Sequence, residues 1–150
     1  MYTDTVTIFN KHGDSKVGIT WYPTVLHNVD LITDKGANIA KTGLESADTA
    51  KLHIRYILTD GAITISGKTY NRPKEWAAQS ETGITETLTF QSATDFFFRG
   101  EYPETPISNS NPAYKNGFYD YFSKTYDDVY LINTVGGPYK LIPHFEIGGK

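Results

Sequence analysis

Apolar and polar residues alternate with a period of two in one segment after another, and that period decides what this chain can fold into. Ala50, Leu52, Ile54 and Tyr56 alternate with Lys51, His53 and Arg55, so a strand here has one apolar and one polar face. Across residues 4–10, Val6 and Ile8 point one way while Thr5, Thr7 and Phe9 point the other. Strand-like segments start within a few residues of Met1 and continue through 139–147. Half-buried strands of this kind must cover their apolar faces with one another, which calls for a sandwich or a barrel.

Turn chemistry divides these segments. Residues 11–16 read as a polar turn, and the next strand runs from Ile19 through Trp21 and Tyr22 to Leu26. Pro23 withholds a backbone donor there, marking an edge or a bulge where one long strand could bend to serve two sheets. Asp34-Lys35-Gly36 supplies a hairpin turn before 37–41, and 42–48 forms a second connection. Asp60-Gly61 is a strong hairpin signal leading into Ile63-Thr64-Ile65. Residues 71–79 read as a short helix, with Pro73 in its first turn and Trp76 as its core-facing anchor.

Two further strands are expected at 85–90 and 96–99. Residues 101–117 hold Pro103, Pro106 and Pro112 and end in Asn116-Gly117, the composition of a long exposed loop. Phe118, Tyr121, Phe122 and Tyr126 have the spacing of a short amphipathic helix. Segments 129–135 and 139–147 then pair across Gly136-Gly137-Pro138 as a closing hairpin. The expected fold is mainly β: one domain over 1–150, barrel or sandwich-like, with one or two short helices.

A single domain of 150 residues can bury a sizeable core, and 11 Tyr and 8 Phe favour packed β structure over disorder. The net charge of -3 argues against a surface built to neutralise many phosphates. It leaves room for DNA as a neighbour that slides past without being gripped. With no cysteine, disulfides, thiolate nucleophiles and Cys-based zinc sites are excluded. No apolar run approaches the ~18 residues of a membrane span, and the expectation is a protein made in a cytoplasm, with no membrane partner.

The residues carry no recognisable catalytic signature. His12, His27, His53 and His144 lie on four separate elements without HExxH spacing; three could converge as metal ligands, but exposed or strand-face histidines are the favoured reading. The acidic pairs Asp30 with Asp34, Glu101 with Glu104 and Asp127 with Asp128 read as solvated loop acids. Ser66-Gly67-Lys68-Thr69 lacks the upstream glycine of a phosphate loop and reads as a turn. Phe96-Phe97-Phe98 fits a sugar-binding platform or a fully buried strand equally well. No catalytic, cofactor or metal site is therefore expected.

Several segments, in order, resemble a family of small phage and prophage proteins encoded among head-tail connector genes. The segment 4–10, Asp-Thr-Val-Thr-Ile-Phe-Asn, is similar to that family's first strand, and 21–29, Trp-Tyr-Pro-Thr-Val-Leu-His-Asn-Val, to its aromatic and Thr-Val-Leu sequence. Lys41-Thr42-Gly43 with Ser46-Ala47-Asp48 resembles the loop that follows. Pro73-Lys74-Glu75-Trp76 resembles its helix start, Tyr126-Asp127-Asp128-Val129 the approach to a later strand, and the final strand with Gly148-Gly149-Lys150 its end. Residues 81–125 show little that aligns.

The resemblance implies a non-enzymatic virion component of the neck, a head-closure or stopper-like ring subunit between portal or adaptor and tail. Its implied partners are other copies of itself, portal or adaptor and tail-terminator proteins, and DNA passing through the channel without sequence-specific contact. Such a subunit needs a rigid β scaffold, exposed strand edges or loops, and a heterologous interface that closes a ring. Interface or channel-gating residues are expected in two loops, at Thr42, Gly43, Ser46 and Asp48 and at Glu101, Tyr102 and Tyr114. The competing classes are a carbohydrate- or receptor-binding tail module and a small β-barrel hydrolase. Buried Trp21 and Trp76 would count against the former, and the latter needs three polar side chains meeting in a deep pocket.

Overall fold

The computed structural model describes residues 1–34 and 49–150. Eleven strands occur among them: β1 (Asp4–Asp14), β2 (Gly18–Asp34), β3 (Thr49–Arg55), β4 (Ile57–Thr59), β5 (Ala62–Ile65), β6 (Lys68–Tyr70), β7 (Thr87–Leu88), β8 (Phe96–Arg99), β9 (Ile107–Ser108), β10 (Val129–Tyr139) and β11 (His144–Gly149). Two short helices, α1 (Pro73–Ala77) and α2 (Phe118–Thr125), interrupt them.

Six of these strands form a closed barrel in the order β1-β8-β10-β11-β3-β2, because β2 also pairs with β1. Every pairing around the barrel is antiparallel. Closure removes the free edges of an open sheet. The fold is therefore the barrel form of the expected β architecture, in one small domain.

The alternation read in β3 places Ala50, Leu52, Ile54 and Tyr56 inside, where they meet Val6, Ile8, Leu26, Phe97, Ile132 and Phe145. The interior is thus filled by side chains and contains no channel of its own. Outside it, β4, β5, β6 and β7 form a second sheet. Asp60 and Gly61 both have positive φ, +52° and +83°, as a two-residue type I′ hairpin turn requires, so that sequence signal is realised.

A second apolar cluster lies on the outer side of the barrel. Phe9, Trp21, Phe96 and Phe98 point outward and are covered by Phe118 and Phe122 of α2. The triplet at 96–98 is therefore a strand buried on both faces, Phe97 inward and its two neighbours outward. A third, smaller cluster joins Tyr22 to Trp76 of α1 and to Ile84.

The structure corrects three local expectations. The bend in β2 lies at Asn28, whose φ is +56°, and the pairing with β1 shifts register there between Leu26 and Val29. Pro23 sits opposite Phe9 on the stretch of β2 between its β9 and β3 partners, an edge position as its missing backbone donor requires. Gly136-Gly137-Pro138 is not a turn but an irregularity inside β10, and the chain reverses at 140–143. Of the strand expected at 85–90, only Thr87–Leu88 pairs, preceded by a 3-10 turn at Ile84–Glu86. The expectations for 35–48, including the hairpin and second connection, lie outside the described residues.

Gly149 explains part of the glycine-rich end. A Cβ there would stand 2.9 Å from Cβ of Tyr130 and 3.0 Å from the Phe97 ring, so only glycine lets β11 approach β10 and β8 this closely.

Candidate functional site

The segment 101–117 is fastened to the barrel along its length. Glu104 accepts a hydrogen bond from the Val25 backbone N–H at 2.8 Å, on a stretch of β2 between its two strand partners. The Lys68 ammonium lies 3.8 Å from the same carboxylate and donates to Thr24 Oγ1 at 2.8 Å. Burial holds the Lys68 pKa below its ordinary value, against the raising effect of Glu104. Further along, Ile107 and Ser108 pair with Trp21 and Thr20 as β9. Asn109 Oδ1 then accepts from both Trp21 Nε1, at 3.0 Å, and Phe118 N, at 2.8 Å. One carboxamide oxygen thereby ties β2 to the first turn of α2, supplying the acceptor that Gly117 has no side chain to provide.

Of the interface residues expected in this segment, Glu101 is exposed and stands 3.8 Å from His27. Tyr102 and Tyr114 are half-buried. The Tyr102 ring lies 5.5 Å from Phe9 and 5.3 Å from Phe122, and that of Tyr114 5.1 Å from Phe118 and 4.8 Å from Tyr121. Burial raises the Tyr102 pKa above its ordinary value, with Tyr126, Tyr114 and Tyr121 adding to it. These two tyrosines fix the segment to the aromatic layer. Thr42, Gly43, Ser46 and Asp48 lie outside the described residues.

Both tryptophans are buried, Trp21 4% and Trp76 1% exposed. Trp76 Nε1 donates to Lys11 O at 2.9 Å. That is the condition that counts against an exposed-aromatic carbohydrate platform.

At the same level a carboxylate is enclosed. Asp95 is fully buried and accepts four N–H bonds: from Lys11 N at 2.9 Å and Gln91 Nε2 at 3.0 Å on Oδ1, and from Asn10 Nδ2 at 2.8 Å and Gln91 N at 3.1 Å on Oδ2. Burial pushes its pKa up to about 7, with those donors pulling against it. Sequence reading missed this residue, which sits in a Ser-Ala-Thr-Asp turn like any solvated acid. The cue was its place directly before a triplet that the same reading allowed to be fully buried.

Two of the four histidines come together on the outer face of β3 and β11. Cross-strand pairing sets His53 opposite Glu146, and His144 lies two residues before Glu146 on the same face. Nε2 of His53 and of His144 stand 3.4 Å and 3.6 Å from the same Glu146 Oε1. His53 Nδ1 faces Asp30 at 3.6 Å, and His144 Nδ1 meets the Ile142 carbonyl at 2.6 Å. Beside them runs a groove of about 510 Å³ whose lining includes Ile32, Lys51, Thr134 and Tyr139. Among the described residues, no group of three or more His, Asp or Glu side chains is placed to hold a metal ion.

At one end of the barrel, Tyr56 N donates to Pro143 O at 3.3 Å and Tyr56 Oη to Tyr139 O at 2.7 Å, holding the start of β4 against the 140–143 turn. Ile57, Leu58, Leu141 and Ile142 are exposed there, Leu141 by 98%. No helix among the described residues is long and apolar enough to cross a membrane.

No curated protein and no solved structure matches the chain. A family described as "Family of unknown function (DUF6751)" matches residues 1–150, and the chain belongs to that family.

Proposed function

We propose that this chain is a head-closure-like subunit of a phage head-tail connector, working as a structural part of the virion neck. The observation that carries the reading is where the resembling segments fall. Residues 4–10 lie in β1, 21–29 in β2, and 139–147 span the end of β10, the turn and most of β11, all of them barrel wall; 73–76 begin α1. A filled, closed barrel is the rigid scaffold such a part needs, and any channel must then be formed between subunits, not within one.

Closure also limits how neighbours attach. Strand addition finds little edge on the barrel itself, since β9 and Glu104 already occupy part of the open side of β2, so contacts fall to loops, to the outer sheet and to the apolar end at Ile57, Leu58, Leu141 and Ile142. In this reading the anchored 101–117 segment is a fixed contact face and not a moving gate. Partners are further copies in a heterologous ring, portal or adaptor and tail-terminator proteins, with DNA passing nearby. Electron microscopy of the native phage or prophage particle tests this: the chain should appear as a ring at the neck. Finding it at the tail tip, or absent from the particle, overturns the proposal.

A further inference from the structure

We propose that the pocket where the first turn of α2 meets the 91–95 turn and the barrel wall binds a single neutral sugar ring. The inference does not depend on the connector reading. The cavity measures about 300 Å³, at the lower end of small-molecule sites (roughly 300–1,000 Å³), room for one ring. Its walls are fixed before any ligand arrives. The Lys11 backbone is held by Asp95, Trp76 and Gln91. Ala93, in the turn closed by Asp95 and Gln91, keeps a φ of +62°, a strained conformation of the kind that persists at binding sites. Asn109, which also lines the cavity, spends its oxygen on Trp21 Nε1 and Phe118 N. The rest of that carboxamide is therefore an NH₂ of set direction, with no partner among the described residues.

The lining chemistry selects among ligand classes. Lys11 brings a positive charge, and Asp120, 3.1 Å from Lys124 Nζ, brings a negative one. A phosphate or carboxylate would be drawn to Lys11 and repelled by Asp120, and an ammonium ligand would meet the reverse. A wholly apolar ligand would strip water from both charges and from the carboxamides of Asn109 and Asn116 without replacing it. A hydroxyl both donates and accepts, so neighbouring hydroxyls on one ring can accept from Asn109 and donate to Asp120. The remaining lining includes Leu131 and the half-buried Tyr119 ring, which is set against Phe96 at 4.8 Å. These offer an apolar wall to the C–H face of a pyranose. Such a one-ring pocket is not an exposed aromatic platform, so the burial of Trp21 and Trp76 does not bear against it.

The test titrates the isotope-labelled full chain with the methyl glycosides of glucose, galactose, mannose and N-acetylglucosamine, followed by two-dimensional NMR. The expected result is a saturable shift of the Asn109 side-chain NH₂ and Trp21 Nε1–H resonances with at least one of these sugars. Affinity for that sugar should fall about tenfold, the worth of one hydrogen bond to a charged group, in Asp120→Asn and in Lys11→Met. It should stay unchanged in Asp127→Ala, an exposed position beyond the other end of α2. Asn116→Ala, on an exposed side chain of the same lining, serves as the second variant if either of the first two does not fold by circular dichroism. Absence of a saturable shift with all of the sugars overturns the proposal, as does a response to inorganic phosphate that matches or exceeds theirs. Binding that persists undiminished in the folded Lys11→Met/Asp120→Asn double variant overturns it equally.

Discussion

Asp95 receives two N–H groups on each carboxylate oxygen, two of the four from the adjacent β1 residues Asn10 and Lys11 and two from Gln91, at the start of the turn that presents it. An amide at this position would turn its own NH₂ toward two of those donors. Asp95→Asn should therefore destabilise the fold by about 1–3 kcal/mol, the cost of mispaired buried donors, measurable by urea denaturation. The pH dependence has a definite sign. Between the ordinary aspartate value of 3.8 and about 7, the folded chain keeps a proton that the unfolded chain has released. The contribution of this group to stability thus falls as pH rises through that window. Measured from pH 4.5 to pH 7.5 (about the limits of that window), the stability gap between the unaltered chain and Asp95→Asn should narrow; a widening gap would contradict the assignment.

At the level of elements, α2 is held by its aromatic stripe and by one distant carboxamide. Asn109→Ala removes the acceptor of both Trp21 Nε1 and Phe118 N and should cost about 1–2 kcal/mol. The indole N–H resonance of Trp21 should shift while barrel amides far from it stay in place, which two-dimensional NMR can check. Which elements the sequence reveals follows from how local their causes are. The strand β3, the Asp60-Gly61 turn, α1 and α2 each carry their own signal, in alternation, a turn dipeptide, a first-turn proline or a helical stripe. The reversal at 140–143 does not, because Gly-Gly-Pro offers a stronger turn composition nearby, and only pairing with β11 decides that it stays within the strand. The same holds for the cluster of His53, His144 and Glu146. His53 and His144 are 91 positions apart in the numbering, and only the β3–β11 register makes them neighbours.

For the whole molecule, a filled and closed barrel makes assembly a matter of surfaces at its ends and outer sheet. Leu58→Glu and Leu141→Glu place charge on side chains that the isolated chain leaves exposed, so thermal stability should change by no more than about 0.5 kcal/mol. Under the connector proposal, the same substitutions should strongly reduce incorporation into particles, as judged by quantitative mass spectrometry of purified virions. Normal incorporation would remove this end of the barrel from the ring contacts. β8 adds a constraint of another kind, since Phe97 fills the barrel while Phe96 and Phe98 fill the outer aromatic layer. Loss or gain of one residue within it would exchange the contents of two cores at once. Over evolutionary time this strand can change its side chains but hardly its length.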